Sequence, residues 1–80
     1  MDQVTVRYWA AARAAAGTPE EVLPGRSLGD VLEAARERHG AELARVLERS
    51  SFLVDGLRTR SAAVLPEGAT VEVLPPFAGG

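Results

Sequence analysis

The chain has 80 residues, of which 46% are hydrophobic and 25% charged, and this composition predicts one small globular domain over residues 1–80. A net charge of -2 argues against binding to nucleic acid or an anionic membrane, and the lack of cysteine excludes disulfides, thiolate metal sites and cysteine nucleophiles. A domain this small encloses a cofactor pocket with difficulty, and we see no long apolar run or signal segment. We therefore expect a cytoplasmic protein that binds no cofactor and is no enzyme on its own.

The first quarter of the chain predicts two strands joined by a short helix. Residues 4–8 alternate apolar and polar side chains with a period of two, which is typical of a half-buried strand. The alanine-rich run 10–16 predicts a helix that ends at Gly17, because alanine has the highest helix propensity. Residues 20–23 predict a second strand, which a Pro-Gly turn then ends.

The principal helix is predicted over residues 28–39. Ser27 and Asp30 have the spacing of a capping box at its start, and Gly40 follows its last residue as a C-terminal cap. Apolar residues at helical spacing predict a second, shorter helix over 41–49.

The remaining elements are predicted to be strands. Residues 52–54 lead into Asp55-Gly56, a strong hairpin signal, and 57–60 return on the other side. Residues 70–74 alternate again and form the last strand, which leads directly into the C-terminal segment.

These elements predict an α+β domain in which a mixed sheet of about four to five strands packs on one main helix. If a right-handed crossover joins the first and last strands as neighbours, they are parallel and central. The predicted core consists of Val4, Val6, Tyr8, Leu28, Val31, Leu32, Leu53, Val71 and Val73.

The interior of the sequence contains no pattern typical of catalysis. His39 is the only histidine and is predicted to be a solvated residue at the end of the principal helix. The acidic residues of the two helices are predicted to form solvated polar faces, and one histidine without cysteine makes a metal site improbable. The candidate chemistry therefore lies at the C-terminus.

The last six residues are the candidate functional segment: Pro75, Pro76, Phe77, Ala78, Gly79 and Gly80. The prolines are expected to end the last strand and stiffen the root of a tail, because they fix φ and lack a backbone N–H. The glycines have no Cβ and can pass through a narrow slot, which would present the Gly80 carboxylate to a partner. A frayed terminus without a role is the alternative. All nine basic residues are arginine, so no lysine is available for chains linked through side chains.

The sequence resembles the MoaD family across essentially all 80 residues. The similarity lies in the order of elements, the Asp55-Gly56 hairpin, the Pro-Glu-Gly turn at 66–68 and above all the Pro-Pro-Phe-Ala-Gly-Gly ending. MoaD is the small sulfur-carrier subunit of molybdopterin synthase and shares the ubiquitin-like β-grasp fold with ThiS. The resemblance therefore implies a β-grasp domain whose tail, residues 75–80, carries sulfur.

The resemblance also implies the chemistry and the partners. The Gly80 carboxylate would be adenylated by an E1-like enzyme of the MoeB type, which uses ATP, and a sulfur donor would convert it to a thiocarboxylate. The tail would then enter a MoaE-like large subunit and donate sulfur to the pterin precursor of molybdopterin. Gly79 would line the slot and Phe77 would anchor the root of the tail, unless Phe77 folds back onto the sheet.

Two other functions use the same adenylate. One is a ubiquitin-like modifier joined through Gly80 to lysines of other proteins, and the other is a sulfur carrier for thiamine, thio-tRNA or an amino acid. Trp9, Phe52 and Leu74 are candidates for an apolar docking patch beside the tail.

Overall fold

The computed structural model of the chain describes residues 3–76. This part forms five strands and three helices, in the order β1 (Gln3–Tyr8), α1 (Ala10–Ala16), β2 (Glu20–Pro24), α2 (Leu28–His39), α3 (Ala41–Arg49), β3 (Ser51–Val54), β4 (Leu57–Arg58) and β5 (Thr70–Leu74). Each element is close to its predicted position, although β4 is only two residues long.

The strands form one mixed sheet in the order β2-β1-β5-β3-β4. The first and last strands, β1 and β5, are parallel neighbours in the register Thr5↔Thr70 to Tyr8↔Val73, and the other three pairings are antiparallel. The last strand therefore lies at the centre of the sheet, as the sequence predicts.

Helix α2 begins with the predicted capping box. The Ser27 hydroxyl accepts a hydrogen bond from the Asp30 backbone N–H at 3.1 Å, and the Asp30 carboxylate accepts one from the Ser27 N–H at 3.3 Å. At the other end, the Gly40 N–H donates to the Arg36 carbonyl while Gly40 adopts a φ of 87°. Local sequence thus fixes both ends of the main helix.

The Asp55-Gly56 turn joins β3 to β4 with φ values of 49° and 85°. A two-residue turn with positive φ at both positions matches the right-handed twist of the strands, which is why Asp-Gly is favoured there. The Asp55 side chain also accepts a hydrogen bond from the Thr70 N–H at 3.0 Å, so the turn is joined to β5.

One hydrophobic cluster joins the helices to one face of the sheet. Eight of the nine predicted core residues are buried, but Leu53 is only half-buried and Val54 is buried instead. Register explains the error: Val54 pairs with the buried Val71, whereas Leu53 pairs with Glu72 on the opposite face. The sheet thus has a helix-covered face and an outer face.

Candidate functional site

The root of the C-terminal tail, formed by Leu74, Pro75 and Pro76, starts at the centre of the sheet. Leu74, the last residue of β5, pairs with Ser51 on one side, and the Trp9 N–H donates to the Val73 carbonyl at 3.3 Å on the other. Pro75 follows immediately and is buried, whereas Pro76 is exposed. The strand thus ends where the prolines begin, because proline has no N–H to extend the ladder. The end of β5 is thus held on both sides, by β3 and by the residue that follows β1.

The rest of the predicted site, Phe77, Ala78, Gly79 and Gly80, lies outside the described residues. The roles given to these four residues, and the partner-binding roles of Pro75 and Pro76, stay predictions. The described structure establishes the position from which the segment starts.

The outer face of the sheet extends from the tail root. Leu74, Glu72 and Leu53 lie on this face and are half-buried, since the helices pack against the other one. Arg58, in β4, donates to the Ser51 hydroxyl at 3.3 Å. This face combines aliphatic and charged side chains next to the tail.

Trp9 forms one border of the tail root. The residue is 38% exposed, and the guanidinium carbon of Arg7 lies 5.2 Å from the centre of its ring, within cation–π range. Arg7 also faces Glu20 at 3.7 Å. Trp9 and Leu74 are therefore accessible near the tail, but Phe52 packs against the core on the helix-covered face. The predicted three-residue patch is not formed.

A cluster of polar side chains lies one strand away from the tail root and was missed in the sequence. Glu21 Oε2 accepts hydrogen bonds from the Tyr8 hydroxyl and from His39 Nε2, each at 2.6 Å, while Arg38 Nε lies 3.1 Å from Glu21 Oε1. The His39 and Glu21 side chains are only 14% and 11% exposed. The prediction of a solvated His39 is wrong, because β2 brings Glu21 against the end of α2.

The environment of Tyr8 keeps its hydroxyl protonated. Burial raises the pKa of Tyr8 well above its usual range, and the hydrogen bond and negative charge of Glu21 raise it further, while Arg38 partly offsets them. Burial and a nearby carboxylate both disfavour the phenolate. Tyr8 thus remains a hydrogen-bond donor, and the cluster joins β1, β2 and α2.

Sequence separation explains why this cluster was missed. Its hydrogen bonds join residues that are 13 and 18 positions apart, so no local sequence pattern predicts them. One signal was available: Glu21 is two residues before Leu23, so in a strand the two side chains share a face, and the leucine predicts that this face is turned to the core. A carboxylate at a core-facing position requires partners.

An open groove of about 600 Å³ lies beside the tail root. Its apolar part comprises Ala10, Ala11, Val46, Pro75 and Pro76, and its charged part is a stripe along α3 made of Glu42, Arg45, Glu48 and Arg49. We call this feature the root groove.

In the part of the chain that the structure describes, no group of three or more histidine, cysteine, aspartate or glutamate side chains could hold a metal ion. No helix over these residues is long and apolar enough to span a membrane.

The model of the ThiS family matches residues 6–80, which include the whole C-terminal segment. The chain belongs to the ThiS family. Members of this family share the ubiquitin-like fold with MoaD and are small sulfur-carrier and ubiquitin-like proteins; they are generally not catalytic and typically work with E1-like activating enzymes. No curated protein matches the chain.

Solved structures with the same fold include both modifiers and a molybdopterin-related protein. Small archaeal modifier protein 1 (SAMP1) from Methanosarcina acetivorans is 28% identical, with a TM-score of 0.85 over 100% of this chain and 98% of that one. A Pyrococcus furiosus protein provisionally described as molybdopterin converting factor, subunit 1, is 26% identical, with a TM-score of 0.78 over 96% of this chain and 100% of that one. Mycobacterium tuberculosis CysO, at 20% identity and a TM-score of 0.77 over 90% and 97%, shows the shared fold.

The α+β β-grasp architecture predicted from the sequence is thereby confirmed, as is the resemblance to the MoaD/ThiS group. The fold places the last strand, which precedes the ThiS-type ending in the sequence, in the middle of the sheet.

Proposed function

We propose that this chain is the sulfur-carrier subunit of a molybdopterin synthase and that its reactive group is the carboxylate of Gly80. The observation that carries the proposal is the ThiS-family match, which continues through residue 80 and so includes the Pro-Pro-Phe-Ala-Gly-Gly segment. The root of this segment is anchored in the central strand, which supports delivery of the tail by a rigid domain.

The proposed chemistry has two steps, both in an E1-like partner of the MoeB type. A Gly80 carboxylate oxygen attacks the α-phosphorus of ATP and releases pyrophosphate, which leaves an acyl adenylate. Hydrosulfide supplied by the sulfur donor then attacks the acyl carbon and displaces AMP, and loss of its proton leaves the thiocarboxylate. The chain supplies the carboxylate, and the partner supplies ATP binding and the catalytic groups.

In the proposed final step, a MoaE-like large subunit receives the tail, and the thiocarboxylate sulfur attacks a carbon of the pterin precursor and displaces an oxygen substituent. Water then hydrolyses the resulting thioester, which leaves the sulfur on the pterin and restores the Gly80 carboxylate. Gly79 would line the slot and Phe77 would anchor the root of the tail against the partner, which Ala78, Pro76 and Pro75 would also contact. The outer face of the sheet beside Leu74 is the surface that we expect the partners to contact, because it adjoins the tail and is not covered by helices.

Mass spectrometry tests this proposal. The purified chain, incubated with a MoeB-type enzyme, ATP and a sulfur donor, should gain about 16 Da, the difference between sulfur and oxygen, on the peptide that contains Gly80. The product should then support molybdopterin formation by a MoaE-type subunit. If Gly80 keeps an unmodified carboxylate under these conditions, the proposal fails. If the thiocarboxylate forms but no pterin accepts its sulfur, the chain serves another pathway, such as thiamine, thio-tRNA or amino-acid synthesis.

The similarity to SAMP1 supports a second candidate, a protein modifier conjugated through Gly80. In that reaction a lysine amine of another protein attacks the same adenylate and forms an isopeptide bond. Adducts that survive reducing, denaturing electrophoresis and disappear when Gly80 is deleted would favour it. The chain itself has no lysine, so each adduct should carry one copy unless the α-amine is used.

A further inference from the structure

Strand β2 forms one edge of the sheet, and within residues 3–76 it pairs with β1 alone. Val22 lies opposite Thr5 in this pair, and the Thr5 N–H donates to the Ala69 carbonyl on the side of β5. Two opposite residues of an antiparallel pair direct their polar groups either towards each other or away from each other. Val22 therefore directs its N–H and C=O away from the sheet.

The outer edge of β2 presents a short row of hydrogen-bonding groups. Residues two apart in a strand point their polar groups the same way, so the Glu20 N–H and the Pro24 C=O accompany those of Val22. The Glu20 carbonyl already accepts a hydrogen bond from the Thr18 hydroxyl at 3.0 Å. An extended segment of another chain can pair with such an edge and continue the sheet.

An open groove of about 520 Å³ lies beside this edge, between the end of β2 and α2. We call it the edge groove. Asp30, Glu33 and Glu37 line it together with Arg26, so three carboxylates face one guanidinium. Ala34 lies between the glutamates and leaves space for side chains from a neighbouring segment. The groove is therefore negatively charged and open beside an edge strand.

The glutamates of the edge groove are available to a basic partner. Arg36 faces Glu33 at 3.4 Å, and Arg38 faces Glu21 at 3.1 Å. Glu37 is exposed and forms no hydrogen bond or ion pair with another described residue. Exposed ion pairs contribute little stability, so a basic side chain of a partner can compete for Glu33 as well.

The spacing of these glutamates matches that of an added strand. A residue paired with Val22 shares its outer face, and the two neighbours of that residue point to the helix-covered face. Those neighbours are about 6.6–6.8 Å apart, and Glu33 and Glu37 are about 6 Å apart along the helix axis. A segment with the pattern basic, apolar, basic therefore fits, with its apolar side chain beside Val22, which is 55% exposed.

We propose that the outer edge of β2 binds an extended basic segment of a partner protein, which adds a strand to the sheet and places alternate basic side chains against Glu33 and Glu37. A second copy of this chain is a poorer occupant. Antiparallel pairing about Val22 sets Pro24, which has no N–H, opposite Glu20 and brings two negative grooves together.

The proposed surface is separated from the tail root by β1. A segment bound at β2 therefore leaves Leu74 and Pro76 accessible. Binding at this edge does not depend on what Gly80 carries.

A nuclear magnetic resonance titration of the full chain with capped peptides tests the proposal. The probe alternates arginine and valine. The matched control alternates arginine and proline, which keeps the charge but lacks the N–H groups that the Val22 and Pro24 carbonyls would accept. The probe should shift the amide resonances of Glu20, Val22 and Glu37 and slow hydrogen exchange at Val22. The control should bind at least about ten-fold more weakly, because the strand pairing is lost.

A pair of charge variants tests the edge groove at about 0.15 M salt, where distant charges are screened. Glu33→Lys/Glu37→Lys should weaken binding of the probe at least about ten-fold. The matched control, Glu48→Lys/Glu67→Lys, makes the same charge change at exposed carboxylates outside the groove. It should bind the probe within about two-fold of the unmodified chain.

Three results would overturn the proposal. The first is a set of shifts confined to the outer face near Leu53 and Leu74. The second is equal binding of the two peptides, or of the probe to both charge variants, which would indicate charge attraction without strand pairing. The third is a concentration dependence of the Glu20 and Val22 resonances without peptide, which would place a second copy on the edge. No activating enzyme is used, so these results are independent of the thiocarboxylate test.

Discussion

The polar cluster around Glu21 and the tail root lie one strand apart. The cluster contains the reactive types of side chain but serves the structure, whereas the tail root contains none and leads to the candidate functional segment. The cluster brings together a tyrosine, a glutamate and a histidine, which resembles a catalytic arrangement, but each group has a partner and little exposure. The tail root has no titratable group of its own, yet it leads from the central strand to the family's C-terminal segment. Satisfied hydrogen bonds identify the cluster as a structural element.

The largest effect that would test this contrast is expected in the tail. Gly79→Val should reduce thiocarboxylate formation or sulfur transfer at least ten-fold, because a branched side chain cannot follow glycine through a narrow slot. The melting temperature should change little, since a terminal segment contributes little burial. Gly79→Ala is the matched control and should retain more activity than the valine variant. Equal transfer by all three proteins would contradict the steric argument.

For the polar cluster around Glu21 we expect the opposite result, a loss of stability with unchanged sulfur transfer. Glu21→Ala should reduce the free energy of unfolding by about 2–3 kcal/mol, because the Tyr8 hydroxyl and His39 lose their shared acceptor. Urea denaturation measures this loss. Sulfur transfer at a temperature where the variant stays folded should be unchanged. A stable variant with impaired transfer would instead assign the cluster a functional role.

Tyr8 should make the stability sensitive to alkaline pH. Its pKa is raised on folding, so its neutral form stabilises the native state fully below about pH 10, and this contribution is lost as the pH rises above the unfolded value. The free energy of unfolding should therefore decline above about pH 10. The chain contains only one tyrosine, so the ultraviolet absorbance of the phenolate reports on this group alone.

Tyr8→Phe is the control for the alkaline experiment. It should cost about 1 kcal/mol at neutral pH, since one hydrogen bond is removed and Glu21 keeps its other partners. It should also remove the decline above pH 10. An unchanged decline would show that another group causes it.

The smallest effect is expected beside the tail root. Arg7→Ala removes the contact with Trp9 and the exposed pair with Glu20, so stability should fall by no more than about 0.5–1 kcal/mol. If the outer face meets acidic partners, the association rate should fall and its salt dependence weaken. Surface plasmon resonance with the activating enzyme at two salt concentrations measures both.

Local signals predicted the fold because each lies within a few residues. Ser27 and Asp30 fix the start of α2, and Asp55-Gly56 fixes the hairpin. The errors arise from contacts between distant segments. Leu53 was assigned to the core because the register of β3 against β5 decides which side chain is buried, and His39 was assigned to solvent because its partner comes from β2.

The candidate segment at 75–80 could be found in the sequence because its composition is unusual and needs no tertiary information. The root groove could not, because it forms only when α1, α3 and the end of β5 meet. The exposure of Trp9 also depends on where α1 begins.

The parallel pairing of β1 with β5 also determines how the domain responds to mechanical force. The two strands run in the same direction, so residue 3 and residue 76 lie at opposite ends of the sheet. A pull applied between the tail and the start of β1 loads the hydrogen bonds of this pair together in shear, instead of opening them one by one. This pairing therefore gives the domain its resistance to tension applied through the C-terminal segment.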